Sequence, residues 1–337
     1  MSTHSKFIVT VFLLVVLMIL VIFTGAVSVN VGELFDKTSL TLSKNIVWNI
    51  RFPRMVTAIA AGGGLAVSGL ILQTWFKNQL ADPFLLGVHS GTSLGVAIYV
   101  LGLSSFFSEI TLLHDSSIII FGLLGALSIL LIMIYISSKF RDSIYIIIFG
   151  IVISFFVTGI INLILSFSSA DELKHFFLWS LGSFDRMSGS ESIVILLIII
   201  CLVMNLFIRS NSLNICLLGD DYARESGIEL SLLRKIIIPT VGVISGLISV
   251  YCGPVIFIGL MGPHLTRMIF STSNHRVLIP GSFLIGAGLC LVVTIFSSGY
   301  FAGMNIPVNA LLGLVGTPFV LILLVKTSKR GRRGQYV

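Results

Sequence analysis

About ten stretches of this chain are almost wholly apolar, each close to the roughly twenty residues a helix needs to cross a bilayer. They run Phe7–Val27, Met55–Trp75, Leu85–Leu103, Ser117–Ile136, Ile144–Leu165, Ile193–Ile208, Ile236–Tyr251, Val255–Phe270, Ile279–Ser297 and Val308–Val325. Backbone groups in hydrocarbon must bond to one another, so runs of this length read as helices. With 56% hydrophobic residues among 337, the apolar surface exceeds what a soluble core can hide. The expectation is an all-α, polytopic membrane protein with one transmembrane domain over residues 1–337. Phe7 to Phe23 has the length of a signal-peptide core. Thr24-Gly25-Ala26-Val27 is a weak cleavage site and many spans follow, which predicts a retained first helix. Gly and Pro in Leu85–Leu103 and in Ile236–Phe270 predict re-entrant or tilted pieces there.

Charge orients these spans. With the N-terminus inside, fifteen of the 21 Lys and Arg fall on the inner side, including Lys77, Lys139, Arg141, Arg209, Arg234 and the tail Lys329–Arg333. Lys37, Lys44, Arg51, Arg54, Lys174 and Arg186 are left outside. That is the positive-inside bias, and an even span count places both termini in the cytosol. A net charge of +7 gathered at the borders of spans fits a membrane protein and gives no nucleic-acid surface. The basic tail reads as an anchor against anionic lipid. No charge lies deep in any span, which argues against an ion-driven carrier built on buried carboxylates.

The longest polar stretch on the inner side runs from Arg209 to Lys235. Asp221, Arg224 and Glu225 fall at three- and four-residue spacing, so a short helix brings them together, and Gly227 ends it. Glu229 to Leu233 predict one more turn. A bare turn between membrane helices does not need such a length, so the stretch reads as a docking segment.

Other residues read structurally. Asp82-Pro83 is a helix cap with Pro in the first turn. Gly253-Pro254 predicts a sharp reversal at the outer face, with Gly259 and Gly262 thinning the following helix near a pore or a partner. Gly62-Gly63-Gly64 is the densest run of small residues, and packing is the commoner reason for one. His264 and Arg267 lack the further ligands a metal site needs, and Cys201, Cys216, Cys252 and Cys290 are isolated. Ser166 to Glu191, with Trp179 and Phe176-Phe177, predicts an amphipathic piece at the outer interface.

Five stretches in order carry a family resemblance. They are Arg51-Phe52-Pro53-Arg54 with the helix ending at Gln73; Asn78–Val88 running into Ser90-Gly91; Leu218–Ile228; Gly253–Leu260 with Pro263-His264-Leu265 and Arg267; and Ile306-Pro307-Val308 with Leu312–Phe319. Together they resemble the permease subunits of the bacterial ATP-binding-cassette importers for iron–siderophores, haem and cobalamin. Gln79, Phe84 and Asn305 depart from the family's usual Pro, Gly and acid.

The resemblance implies the ten-helix type II importer permease fold, a plasma-membrane location and alternating access. It implies a second permease subunit (the same chain or a paralogue), two cytosolic ATPase subunits, and an extracytoplasmic binding protein or lipoprotein. ATP and Mg are used by the ATPase, and this chain binds no cofactor and has no catalytic site. Leu218, Gly219, Asp220, Asp221, Arg224, Glu225 and Gly227 match the coupling helices; Arg51 and Arg54 match arginines that meet the binding protein. Gly62, Gly63, Gln73, Asp82, Pro83, Gly87, His89, Gly253, Pro254, Gly259, Pro263, His264, Arg267 and Pro307 take structural or pore-proximal places. The family prior ranks an iron–siderophore as cargo, with haem or cobalamin as alternatives. A carrier or channel without an ATPase is the rival class, disfavoured by the docking segment.

Overall fold

The least hydropathic of the first two long helices is the one the protein buries. In the computed structural model, which describes residues 2–25, 27, 29, 42–103, 114–140, 143–298 and 306–333, α1 (Thr3–Phe23) has mean hydropathy 3.1 and is only 6% buried. The helix α2 (Leu42–Trp75), which includes a π-helical turn at Val47–Arg51, has hydropathy 1.9 and is 94% buried. Lipid solvates Leu and Phe as well as protein does, so greasy helices gain nothing by moving inward. Helices rich in Gly, Ala and Ser gain close packing there. Lys37, Arg141 and Asn305 lie outside the described residues.

The remaining elements follow in order. A 3₁₀ turn at Pro83–Leu86 leads into α3 (Val88–Ile98), which continues through a π-helical turn. Two long helices, α4 (His114–Lys139) and α5 (Ser143–Ser166), precede the short α6 (Ala170–Ser180). Then come α7 (Gly189–Ile208), the short α8 (Ser210–Cys216) and α9 (Asp220–Glu225), and α10 (Leu230–Cys252). The chain closes with α11 (Ile258–Phe270), α12 (His275–Ser297) and α13 (Val308–Arg333). Seven helices among the described residues are long and apolar enough to cross a membrane. The other three predicted spans are α3, α11 and α13; α11 has only 13 residues, and the apolar parts of α3 and α13 are also short of a full span.

Two groups of helices meet across α10. The first packs α2 against α7, α11 and α12, with α1 outside on α12. The second packs α3 against α4 and α5. Glycines set the first group's spacing: a Cβ on Gly62 would fall inside the van der Waals shell of the Gly286 carbonyl, and one on Gly69 would strike Gly259. Gly62, Gly63 and Gly262 therefore face other helices of the same chain, and Gly259 faces the Asp82-Pro83 cap. Within this chain Gly262 thins α11 for its contact with α2, and Gly259 for its contact with that cap.

The polar stretch also needs correction. Arg209–Lys235 is not one docking loop, because α10 begins at Leu230 and absorbs its last six residues. Arg234 is on α10 and donates to the carbonyls of Ser137 and Phe140 at the end of α4. A cation at a helix C-terminus complements the carbonyl ends of the helix dipole. The amphipathic piece at the outer interface is α6, with a capping box between Ser169 and Glu172.

Replacing Gly62 by Val will force α2 off α12 and lower the melting temperature of the purified protein in detergent, at a cost of about 1–3 kcal/mol or more. Gly159→Ala, where an added Cβ meets nothing within 4 Å, will leave the melt unchanged. Equal melts for the two variants would contradict the packing assignment.

Candidate functional site

The polar residues gather in three places along the bundle. At one end α8 and α9 stand between α7 and α10. Gly219 (φ +123°) opens α9 and Gly227 (φ +81°) closes it, with Ile228 N–H donating to Ala223 O and Gly227 N–H to Arg224 O. Such left-handed closure is open to glycine at little cost. Arg224 Nη1 lies 3.9 Å from Asp221 Oδ1, as the spacing predicts, and both are exposed. Asp220 pairs instead with Lys77 past the end of α2, at 2.7 Å. Leu218 and Tyr222 are 67% and 51% exposed at this polar end. A cleft of about 560 Å³ lies beside them, lined in part by Trp75, Lys77, Asp220, Arg224, Glu229 and Arg234.

The same end holds a contact that the spacing of charges did not point to. Asn214 on α8 meets His275 at the start of α12, and His275 meets Thr74 at the end of α2. The three positions are remote in sequence, and each looks there like an ordinary polar residue at a helix end. Only the fold joins them.

In the middle of the bundle two interrupted segments meet. The Asp82 side chain accepts from Phe84 N–H and caps the 3₁₀ turn, whose first residue is Pro83, and Gly87 (φ +72°) passes the chain into α3. Opposite, α11 begins at Ile258; the turn that feeds it, Gly253 (φ +72°) and Pro254, lies farther along, where α10 stops at Cys252 against the end of α6 and Ser183 N–H donates to Cys252 O. Gln73 stitches the joint. Its Nε2 donates to Gly259 O at 3.1 Å, and its Oε1 accepts from Arg267 at 2.6 Å. The carbonyl of a broken helix and a half-buried guanidinium are satisfied by one side chain, as backbone at membrane depth requires. Pro263 lies inside α11, and His264 meets Phe319 of α13 edge-on.

His89 is held by Ser249 (Nδ1 to Oγ, 3.1 Å) and stacks on Phe84, so it packs as a satisfied ring. The second oxygen of Asp82 is buried and without a protein partner. It borders a cavity of about 10 Å³ shared with His89, Ser245 and Ser249, which is room for about one water by this measure. A carboxyl group is thus buried at mid-bundle. The expectation that no charge lies deep in any span does not reach this residue, which sits between two predicted spans. Among the described residues no cluster of His, Cys, Asp or Glu suits a metal ion.

At the opposite end the arginine pair is not exposed. Arg51 is 5% exposed and donates to the carbonyls of Ile22 and Val27, tying the end of α1 to α2. Arg54 pairs with Asp185 at the rim. Arg186 donates to the carbonyls of Leu178 and Trp179 at the end of α6, and burial pushes its pKa below the usual arginine value. Of the two arginines matched to binding-protein docking, Arg51 is thus taken up by the fold and Arg54 stands at the rim. Pro307 immediately precedes α13, whose Asn309 bonds the carbonyls of Ser180 and Leu181.

Comparisons with known proteins place this geometry. The chain is 29% identical over 317 residues to the vitamin B12 import system permease of Salmonella arizonae, covering 93% of this chain and 94% of that one. It is 28% identical over 298 residues to a putative ABC transporter permease of Methanocaldococcus jannaschii, covering 85% and 84%. Its fold matches an inward-facing conformation of a putative metal-chelate type ABC transporter with a TM-score of 0.83 at 24% identity, over 94% of this chain and 97% of the other. A model of the FecCD transport family matches residues 13–326. The chain belongs to the FecCD transport family, as a non-catalytic membrane subunit with the fold of an ABC importer permease.

Proposed function

We propose that this protein is the permease of an ATP-driven importer for a metal chelate, and that α8 and α9 seat on a cytosolic ATPase. The observation that carries the reading is the pair of short helices with Leu218 and Tyr222 exposed among charged residues. Apolar side chains held out of the membrane and away from the core mark a partner surface. In this reading the docking end is cytosolic. Phe7 of α1 packs on Phe270 near that end, and α13 runs toward it from Asn309, which supports a cytosolic place for both termini. ATP and Mg bind the two ATPase subunits, and a second permease, the same chain or a paralogue, completes the path. Nucleotide-driven motion of the ATPase pair moves α8 and α9, and access to the path alternates between the two sides of a bacterial plasma membrane.

A binding protein docks at the opposite end, where Arg54 and Asp185 form the reachable charged rim. Rim charges of this kind fix register and speed encounter more than they add affinity. For cargo, the relatives named as vitamin B12 permeases favour a corrinoid over an iron–siderophore. Uptake of cyanocobalamin and of a ferric trihydroxamate, each with its loaded binding protein, separates the two. The corrinoid reading predicts accumulation of the first only, and uptake of the ferric chelate alone would overturn it.

The docking reading is tested by Asp221→Ala combined with Arg224→Ala. Both side chains are exposed, so the protein will insert as before. Hydrolysis stimulated by the loaded binding protein, and uptake with it, will be lost. Unchanged stimulation and uptake would make α8–α9 a solvated connection.

A further inference from the structure

We infer that Asn214, His275 and Thr74 form a buried clasp through which movement of the docking helices reaches the membrane helices. This rests on the docking reading above and adds which residues carry the movement inward. His275 is 1% exposed, with its Nδ1 2.8 Å from Asn214 Oδ1 and its Nε2 2.8 Å from Thr74 Oγ1. One imidazole ring thus joins α8, α12 and α2.

The hydrogen-bond roles follow from the neighbours. Asn214 Oδ1 also accepts from the backbone N–H of His275 at 2.8 Å, while its Nδ2 donates to Asn274 Oδ1. This fixes the amide, so Nδ1 of the ring carries the proton and donates. In the neutral ring Nε2 then accepts from the Thr74 hydroxyl. If Nε2 were protonated it would donate to Thr74 Oγ1, and the hydroxyl would turn to Leu70 O, 2.9 Å away. Neither state leaves a buried group without a partner, so the tie holds in both.

What lies beyond the clasp makes it a transmission point. Thr74 is the neighbour of Gln73, which holds Gly259 and Arg267 at the broken-helix joint. His275 begins the helix whose Gly286 is locked against Gly62 of α2. The other link from the docking helices to α2, Lys77–Asp220, is more than half exposed at both side chains and is weakened by solvent and salt. The buried tie is the stiffer of the two.

The limbs can be cut separately. Thr74→Val keeps the shape and removes the hydroxyl. His275→Asn keeps a donor at the Nδ1 position and loses the Thr74 limb. Thr74→Ser restores it. Each variant is reconstituted with its ATPase and loaded binding protein, and cargo moved per ATP hydrolysed is measured with whichever of cyanocobalamin or the ferric trihydroxamate the wild type carries. The clasp predicts that Thr74→Val and His275→Asn still hydrolyse ATP but move about five-fold less cargo per ATP, or lower still, with Thr74→Ser near wild type. A merely structural role lowers hydrolysis and transport together and leaves the ratio unchanged. That ratio unchanged in Thr74→Val, or in His275→Asn should the first fail to assemble, overturns the clasp. A wild-type complex with no stimulated hydrolysis overturns the docking reading itself, and the clasp with it.

Discussion

The rest of the structure depends on the close approach of α2 to α12 and α11. In a bilayer there is no hydrophobic reward for bringing two helices together, so contact must come from packing and polar ties. Glycine at 62, 69, 259 and 286 removes the side chains that would hold the backbones apart. Ala58, Ala66, Leu70, Leu72 and Ser68 on α2 are then fully buried. With α2 enclosed on all sides, the more hydropathic α1, α5 and α7 are left to face lipid. The gradient of hydropathy runs outward, opposite to that of a soluble protein.

This packing permits what lipid otherwise forbids, backbone that is not helical at membrane depth. The segments around Asp82 and Gly259 are sheltered by α2, α10 and α11; Asp82 accepts from Phe84 N–H, and the Gly259 carbonyl accepts from Gln73. Gln73 and Thr74 are consecutive, yet one serves the joint and the other the clasp toward the docking helices. The end of α2 therefore connects the two sites of functional interest. In the proposed cycle, α2 and α12 are the levers, and the joint is where their movement meets the cargo path.

Much of this was legible in the sequence because the bilayer enforces length and composition uniformly. The long apolar helices, the short helix at Asp220–Glu225 closed by Gly227 and the Asp82-Pro83 cap rest on local rules of hydropathy, spacing and capping. What escaped depends on contacts between distant residues. Arg234 and Lys235 look like loop, but Arg234 is the cap for α4, so α10 starts earlier than its apolar run. Arg51 beside Arg54 looks like an exposed pair, until Ile22 and Val27 offer it carbonyls. His275 follows Asn274 in an unremarkable polar turn; its partners at 214 and 74 come from two other helices.

The central claim is that the docking helices move as one with α2 and α12, while α3, α4 and α5 move against them. Spin labels test it at Tyr222 on α9, Val292 on α12 and Phe155 on α5, all exposed positions. Distances are measured in the assembled complex without nucleotide and with ATP trapped. The account predicts an unchanged Tyr222–Val292 distance and a shifted Tyr222–Phe155 distance. A shift in the first with none in the second would contradict it.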